Sequence, residues 1–436
     1  MKTIATYTLG CKVNQYDTEA MLEAFERAGY AAVPFQEEAD VYLINTCTVT
    51  GTGDQKSLKT VRRVAREHPH SAIVVCGCLA QREAESIVRM DNVMLAVGVQ
   101  RRAEVVSLLE RALSENTPIN AVGPLKGAAF ENLFVSRHEG KTRATMKIQE
   151  GCDRYCAYCI IPSVRGPVRS MPLQDVRAEA ERLAKAGYRE IVVTGIHLAS
   201  YGRETGEKLI DAIRAVHDAP GVARVRLGSL EPVVATEEFA RALSEMPGIM
   251  RQFHLSLQSG SAAVLKRMRR RYTPEDYLRA VENLRQYMPD CAVTTDVIAG
   301  FPGETEAEFE ETLDFLRTAR LSRIHAFPYS RRKGTVADGL PDQVDEALKR
   351  ARTKKLIALG NQLEREYVSS MIGTVQSVLF EQTAGEPGCG MAEGYTGQYI
   401  RVRAKAAPGD IRAVRLVSAE GTLALGEVIE EKQGEG

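Results

Sequence analysis

The sequence predicts an α/β protein with three consecutive parts: an N-terminal doubly wound parallel sheet, a central full or partial (β/α) barrel, and a small C-terminal all-β barrel. Residues 1–115 and 141–330 alternate short apolar runs with amphipathic segments. This alternation is typical of parallel strands joined by crossover helices. Beyond residue 370 the apolar runs are short and separated by glycine-rich turns, which is typical of a small β-barrel.

The N-terminal part is predicted at residues 1–115. Its apolar runs predict buried strands at 4–9, 41–44, 72–75 and 93–97. Its segments with helical periodicity predict helices at 18–27, 55–66 and 82–89. A doubly wound sheet of this kind places its ligands at the carboxyl ends of the strands. Residues 116–140 lose the pattern and contain proline, glycine and scattered polar residues, so we predict a linker there.

The central part is predicted at residues 141–368 and the C-terminal barrel at 371–434. Six central strands are predicted at 144–148, 190–194, 222–227, 253–257, 293–298 and 323–327. Helices are predicted at 175–186, 209–216, 237–244, 274–287 and 306–318, followed by a charged helix at 342–367. The terminal barrel has predicted strands at 375–380, 399–402, 413–418 and 423–429. A site in the central barrel would be built from the loops after its strands.

Composition narrows the class of protein. The 57 Lys and Arg residues equal the 57 Asp and Glu residues, so any surface for nucleic acid must be local. No run approaches 18 consecutive apolar residues, and the first residues lack the features of a secretion signal. Nine cysteines in such a chain indicate reduced thiols used for metal binding or catalysis. We therefore expect a cytoplasmic protein with no membrane partner.

Three cysteines with CxxxCxxC spacing directly follow the first predicted barrel strand: Cys152, Cys156 and Cys159. Three thiolates on a short loop can hold three irons of a [4Fe–4S] cluster and leave the fourth iron open. The open iron can chelate the amino and carboxylate groups of S-adenosylmethionine. Structural zinc is one alternative, but it needs four ligands, and no fourth Cys or His lies nearby in sequence. Three unrelated core thiols are the other alternative.

This motif resembles the signature of the radical S-adenosylmethionine superfamily, in which an aromatic residue precedes the last cysteine. Tyr158 occupies that position. The resemblance implies that Cys152, Cys156 and Cys159 hold the cluster that cleaves S-adenosylmethionine. It also implies that Tyr158 packs near the adenine of that cofactor.

A second set of cysteines lies at predicted strand ends: Cys11, Cys47 and Cys78. The carboxyl ends of parallel strands meet at one edge of a sheet, where open α/β folds place ligands. We therefore predict a second cluster with three protein ligands; ordinary strand-end thiols are the alternative. Cys76 alternates with Cys78 along the strand, so it is expected in the core, although an exchange of roles between the two stays open.

Three N-terminal motifs resemble those of the methylthiotransferases: TLGCKVNQ at 8–15, NTCTVT at 45–50 and GCLAQ at 77–81. In that family the three cysteines hold an auxiliary [4Fe–4S] cluster that carries or accepts sulfur. The third ligand position of the family matches Cys78. The resemblance implies two [4Fe–4S] clusters, with S-adenosylmethionine acting both as radical source and as methyl donor.

Loops after the later barrel strands also resemble superfamily motifs, and they supply candidate cofactor contacts. These loops include TGIH at 194–197, LGSLEP at 227–232 and TDVIAGFPGET at 295–305. All of them fall on the same predicted barrel face as the cysteine loop, which favours a single active site. An exposed loop carboxylate is the alternative for Glu231. The candidates are Thr194, Gly195, Ser229, Glu231, Gln258, Asp296 and Phe327.

Two basic runs near the predicted active face are candidate RNA contacts. The first comprises Arg269, Arg270 and Arg271, and the second Arg331, Arg332 and Lys333. Such clusters suit phosphate contacts, and a solvated helical face is the alternative. The C-terminal barrel resembles the TRAM domain with which methylthiotransferases hold tRNA. From residue 371 onward, however, it has six Lys or Arg against nine Asp or Glu. Tyr395, Tyr399, Arg401 and Arg403 are therefore the candidates there for base stacking and local positive charge.

The segment LGCKVNQYDTE at 9–19 most resembles the tRNA threonylcarbamoyladenosine branch of the methylthiotransferases. The resemblance implies a methylthio group added at C2 of the modified adenosine 37 in the anticodon loop of tRNA. It also implies an electron donor and a sulfur source as partners. Alternatives are action on isopentenyladenosine in tRNA or on a ribosomal-protein aspartate, and, in another class, a non-catalytic Fe–S carrier or RNA-binding scaffold.

Overall fold

The computed structural model describes residues 1–138, 140–386 and 388–430. The last predicted residues of the C-terminal barrel, 431–434, therefore lie outside the described residues, as does residue 139 of the predicted linker. Within the described ranges, no helix combines the length and apolarity needed to cross a bilayer. The predicted α/β class is confirmed: two regions of parallel strands and helices precede a closed barrel of five strands.

The N-terminal region is a sheet of six parallel strands in the order β2-β1-β3-β4-β5-β6. Helices pack on both faces, and two separate apolar cores form there. The sixth strand lies in the predicted linker, where its two residues pair with β5. The strands are β1 Thr3–Thr8, β2 Ala31–Val33, β3 Val41–Thr46, β4 Ala72–Gly77, β5 Val93–Val97 and β6 Ile119–Asn120. The helices are α1 Lys12–Arg27, α2 Gly51–Glu67, α3 Cys78–Ile87 and α4 Val105–Ser114.

The central region is a partial barrel. One sheet has the order β10-β9-β7-β8 and the other β11-β12-β13, and isolated parallel bridges such as Leu230 to Leu255 join them into an arc. The strands are β7 Arg143–Glu150, β8 Arg169–Ser170, β9 Glu190–Gly195, β10 Arg224–Leu227, β11 Gln252–His254, β12 Ala292–Ala299 and β13 Arg323–Pro328. The helices are α5 Ile161–Arg165, α6 Leu173–Lys185, α7 Leu209–His217, α8 Glu237–Ser244, α9 Ala262–Arg267, α10 Pro274–Tyr287, α11 Glu306–Ala319 and α12 Glu346–Ser370.

Alternate residues of the barrel strands face opposite sides, as the two-residue period of a strand requires. On β7, Ala144, Met146 and Ile148 belong to the large core shared with the outer helices. The intervening Lys147 and Gln149 are buried polar residues, which make ion pairs and hydrogen bonds on the inner side of the arc. The inner side is therefore polar while the helix-facing side is apolar.

The C-terminal region is a closed barrel with strand order β14-β15-β16-β18-β17. Sequence reasoning missed β15, because its segment MAEGYT has a central glycine and little apolar pattern. Gly394 is needed there, since a Cβ atom would lie 2.1 Å from the carbonyl oxygen of Leu379. The strands are β14 Val375–Thr383, β15 Met391–Thr396, β16 Arg401–Lys405, β17 Ile411–Glu420 and β18 Leu423–Val428.

This terminal barrel docks against the amino-terminal ends of the central strands. Arg143 of β7 pairs with Glu381 at 2.7 Å, and the guanidinium of Arg226 lies 4.8 Å from the ring centre of Tyr399. Tyr399 stacks on Tyr395 with ring centres 4.6 Å apart. These two tyrosines, predicted as candidates for RNA stacking, thus take part in the contact between domains.

Candidate active site

The CxxxCxxC loop leaves the end of β7 through Gly151, whose φ is 75°. A Cβ atom at this position would lie 1.9 Å from the carbonyl oxygen of Pro167, so only glycine fits. The loop is tied down by backbone hydrogen bonds from Cys152 to Gly166 at 3.0 Å and from Ala157 to Met268 at 2.9 Å. Helix α5 begins two residues after Cys159.

The three cysteines open onto a cavity of about 180 Å³ at the carboxyl ends of the barrel strands. Four of the predicted cofactor contacts line it: Tyr158, Ser229, Glu231 and Gln258. Arg154 of the CxxxCxxC loop, His197 of the TGIH loop and Arg270 of the first basic run lie in the same wall, although none of the three was predicted as a cofactor contact. The predicted contacts Thr194, Gly195, Asp296 and Phe327 are not part of the cavity lining.

Two of these four residues, Thr194 and Gly195, nevertheless lie close to the cavity wall. Gly195 packs against Gln149, whose Oε1 accepts a 2.6 Å hydrogen bond from the backbone of His197 in the cavity wall. Thr194 lies beside Gly228 on the neighbouring strand loop. Asp296 instead lies 3.4 Å from His254 on the inner side of the arc, and the side chain of Phe327 is exposed.

Buried thiols and a buried carboxylate define the electrostatics of the cavity. Burial raises the pKa of Cys152 to about 11 and that of Cys159 to about 12. These thiols are protonated at neutral pH without metal, so binding iron displaces protons. Burial alone would raise the pKa of Glu231, but the hydrogen bond from His197 and the charge of Arg270 lower it. Glu231 therefore presents a fixed negative charge to the cavity.

The second set of cysteines comes from three separate strand ends of the N-terminal sheet. Cys11 follows β1 and precedes α1, Cys47 follows β3, and Cys78 begins α3. The thiols are close enough to influence one another: charge on Cys11 and Cys47 contributes to the raised pKa of Cys78, about 11, after the larger effect of burial. A Cβ atom on Gly10 would lie 3.0 Å from the sulfur of Cys47, so glycine keeps this space open.

Cys76 lies apart from this group. Its side chain is fully buried in the apolar core that packs on one face of the N-terminal sheet. There its sulfur lies 3.7 Å from the carbonyl oxygen of Ile44. Cys78 instead packs with Val99, Ile160 and Val164. Strand β4 ends at Gly77, whose φ of 90° turns the chain, and Cys78 begins α3 with its side chain packed towards the barrel domain.

The two cysteine triplets approach each other at the domain boundary at one point, where Cys78 belongs to the same apolar cluster as Ile160, the residue after Cys159. Among the described residues, no three acidic, histidine or cysteine side chains converge tightly enough for a single metal ion. A [4Fe–4S] cube makes a different demand, since it spreads its thiolates over separate irons. Neighbouring thiols around a space that glycine keeps open fit such a cluster.

Sequence reasoning missed a buried ionic network that joins the two domains beside the triplets. Asp17 of α1 accepts hydrogen bonds from Arg102 and, at 2.5 Å, from Lys147 of β7. Glu150, at the end of β7, accepts from Arg165 at 2.7 Å. The only signal in the sequence was closeness to the cluster cysteines along the chain. Except for Arg102, each residue of the network lies within six residues of one of these cysteines.

The two predicted RNA-binding runs divide between surface and interior. Arg269, Arg271, Arg331 and Lys333 are exposed. The other two are not available on the surface, which corrects the prediction for them. Arg270 lines the cavity with its Nη1 atom 3.2 Å from the sulfur of Cys156, and the buried Arg332 pairs with Asp54 of the N-terminal domain at 2.5 Å.

Comparison with known proteins agrees with this arrangement. Residues 146–316 match the Radical SAM superfamily, and residues 3–98 match the family described as "Uncharacterized protein family UPF0004". A solved structure of the radical S-adenosylmethionine methyltransferase TsrM from Kitasatospora setae shares the fold with a TM-score of 0.56 at 13% identity, covering 86% of this chain and 77% of that one.

Relatives of similar length are more informative. The chain is 43% identical to the threonylcarbamoyladenosine tRNA methylthiotransferase MtaB of Bacillus subtilis, over 92% of this chain and 90% of that protein. It is 34% identical to MtaB of Thermotoga maritima over 92% and 91% of the two chains. It is also 34% identical to the tRNA-2-methylthio-N(6)-dimethylallyladenosine synthase of Acetivibrio thermocellus, over 86% and 79%. The chain therefore belongs to the methylthiotransferase family of radical S-adenosylmethionine enzymes.

Proposed function

We propose that this chain adds a methylthio group at C2 of N6-threonylcarbamoyladenosine at position 37 of tRNA, beside the anticodon. The observation that carries the proposal is that the sheet domain and the barrel domain each hold a cysteine triplet, and that Cys78 of the first packs in the same apolar cluster as Ile160, beside Cys159 of the second. The Bacillus subtilis relative, at 43% identity, is named for this nucleoside. The relative named for dimethylallyladenosine is 34% identical, as is the MtaB of Thermotoga maritima, so it is the match at 43% that favours the threonylcarbamoyl substrate.

Each triplet would hold one [4Fe–4S] cluster. Cys152, Cys156 and Cys159 would leave one iron for S-adenosylmethionine, and Cys11, Cys47 and Cys78 would hold the auxiliary cluster. When bound, these groups supply a carbon radical, a sulfur atom and a methyl group, which polar side chains cannot provide at an unreactive C2–H bond.

The protein residues around the cavity would bind and orient S-adenosylmethionine. Glu231 forms ion pairs with Arg154 at 2.8 Å and with Arg270 at 3.5 Å, so its carboxylate holds both guanidinium groups in place along the cavity wall. Tyr158, Ser229 and Gln258 provide the remaining polar and aromatic wall. Burial of this wall limits access of water to the reacting groups.

The exposed cations beside the cavity are the proposed tRNA surface: Arg269, Arg271, Arg331 and Lys333. Replacing all four by alanine should weaken tRNA binding and reduce the salt dependence of the affinity, by about 0.7 in the logarithmic slope for each single-strand phosphate that is no longer neutralised. Binding is measured by filter retention at several salt concentrations. The matched control also removes four exposed cations, Arg177, Arg214, Arg241 and Arg279 on the outer helices α6, α7, α8 and α10; an equal effect of both variants would exclude this surface.

The reaction also requires an electron donor and a sulfur source as partners. We propose that the reaction takes place in the cytoplasm, where tRNA is modified. Neither partner is needed to test the substrate, because a chemical reductant and inorganic sulfide can replace them.

The deciding experiment incubates the reconstituted protein with S-adenosylmethionine, reductant, sulfide and tRNA that carries threonylcarbamoyladenosine, followed by mass spectrometry of the nucleosides. The expected product is the 2-methylthio derivative. Parallel reactions contain tRNA with isopentenyladenosine, or the ribosomal protein. Product only in one of those reactions would assign the alternative substrate, and no cleavage of S-adenosylmethionine in any reaction would favour a non-catalytic carrier or scaffold.

A further inference from the structure

One arginine on the helix that follows the CxxxCxxC loop contacts a cysteine of the N-terminal triplet. Arg165 ends helix α5, which follows the CxxxCxxC loop, and its side chain is fully buried. Its Nε atom lies 3.1 Å from the sulfur of Cys78. Among the residues that the structure describes, no other side-chain nitrogen donates to Cys11, Cys47 or Cys78. The barrel domain thus provides the donor, and the sheet domain provides the thiol.

The rest of the guanidinium is held by residues next to the other ligands. Its Nη1 atom donates to Glu150 at 2.7 Å, two residues before Cys152, and its Nη2 atom donates to Asn14, three residues after Cys11. Asp17 accepts from Nη1 at 3.3 Å. Because each nitrogen has an acceptor from a different segment, the orientation of Nε towards Cys78 is fixed.

The side chain also keeps its charge. An arginine guanidinium is not deprotonated in proteins, and here it faces the carboxylates of Asp17 at 3.3 Å and Glu150 at 2.7 Å. A charged donor makes a stronger hydrogen bond to an anionic acceptor than a neutral donor does. The Cys78 thiolate of a bound cluster would be such an acceptor.

We propose that Arg165 is a positioning residue that raises the reduction potential of the auxiliary cluster through its contact with Cys78 and sets this cluster against the radical site. The physical reason is that a reduced cluster carries one more negative charge than the oxidised cluster. Hydrogen bonds and positive charge at its sulfurs therefore favour uptake of the electron. This inference rests on the proposed function for the presence of the cluster, but its test does not depend on methylthio transfer.

The test uses full-length protein in which Cys152, Cys156 and Cys159 are replaced by alanine, so that only the auxiliary cluster remains. The one-electron midpoint potential is measured by dithionite titration followed by electron paramagnetic resonance. Arg165→Gln should shift the potential to a more negative value. Arg165→Lys, which keeps the charge but not the planar fork, should produce a smaller shift.

The control variant removes the same number of charges as the test variant, but it leaves the contact between Arg165 and the thiol of Cys78 in place. Arg165→Gln/Glu150→Gln and Arg102→Gln/Glu150→Gln each delete one cation and one anion from the buried network, which also limits the risk of misfolding. Only the first double variant should show the large negative shift. Equal potentials in the two double variants would overturn the inference and leave the proposed function intact. Loss of all cluster iron in the Cys152, Cys156 and Cys159 background would instead contradict the proposed function.

Discussion

The two cysteine triplets of this protein are built in opposite ways. Cys152, Cys156 and Cys159 lie on one loop that Gly151 shapes and that backbone hydrogen bonds hold, one of them from Ala157 to the distant Met268. Cys11, Cys47 and Cys78 come from three strand ends, and they meet only because β1, β3 and β4 are neighbours in one parallel sheet. The first site therefore depends on a loop, whereas the second depends on the sheet and on the barrel domain beside it.

The difference teaches how each site acquires its geometry. In both triplets a glycine with positive φ precedes a ligand: Gly10, Gly77 and Gly151 have φ values of 105°, 90° and 75°. A tight turn at each strand end lets the following thiol point outward. Each triplet also has an arginine at one thiol, Arg270 at Cys156 and Arg165 at Cys78, but only the contact of Arg165 joins the barrel domain to the sheet domain.

The largest expected effect comes from removing the contiguous triplet. Replacing Cys152, Cys156 and Cys159 by alanine should abolish formation of 5′-deoxyadenosine from S-adenosylmethionine, because no site for the open iron remains. Iron content should fall by half as the second triplet keeps its cluster. Chromatography of the nucleoside product and an iron assay check both expectations. Retained cleavage would show that the initiating cluster is held elsewhere.

Removing the distributed triplet should separate cleavage from transfer. With Cys11, Cys47 and Cys78 replaced by alanine, we expect S-adenosylmethionine to be cleaved but no methylthio nucleoside to form, since the sulfur-presenting group is absent. Mass spectrometry of the tRNA checks the product. Cys76→Ala is the matched control: this thiol lies in the apolar core, so iron content and product should be unchanged, while the free energy of unfolding falls by roughly 1 kcal/mol.

The same contrast decides what could be predicted from the sequence. The contiguous motif can be recognised from its spacing alone. Cys78 was preferred over Cys76 because it matches the third ligand position of the family; alternation along a strand could not separate the two, since residues two apart lie on the same face. Most strands and helices were predicted from apolar runs and periodicity. The short helices α5 and α9 were missed, since five or six residues carry little periodic signal.

Long-range partners were the part that the sequence could not provide. Arg270 and Arg332 lie in basic runs, which usually indicate a solvated surface. Arg332 is instead buried against Asp54, 278 residues away, and Arg270 contacts Cys156, 114 residues away. A local charge pattern contains no information about such pairs, because the fold alone brings the partners together.

Alanine at the entry glycines should affect each triplet selectively. Gly10→Ala would place a Cβ atom 2.9 Å from the Cβ of Cys47, so auxiliary iron should be lost while S-adenosylmethionine cleavage persists. Gly151→Ala should give the reverse result, because its Cβ would collide with the carbonyl of Pro167. Gly29→Ala is the control, since Gly29 has a φ of 89° and open space around it; it shows only the backbone strain of about 1–2 kcal/mol. Equal iron loss in all three variants would contradict the idea that contact with the ligands matters.

The smallest expected effect concerns the second contact between the barrel and the loop after Cys47. Arg332→Gln removes the pair with Asp54 and the hydrogen bond to Thr48, and should lower the free energy of unfolding by about 2 kcal/mol. Arg331→Gln, which breaks an exposed pair with Asp338, should change it by less than about 1 kcal/mol. Urea denaturation of the two metal-free variants measures the difference. Because the distributed triplet depends on the domain boundary, Arg332→Gln should also speed release of auxiliary iron to a chelator, while iron in the contiguous triplet is released at the wild-type rate. Equal release from both triplets would mean that the boundary supports them alike, and the contrast between a local and a distributed site would not hold.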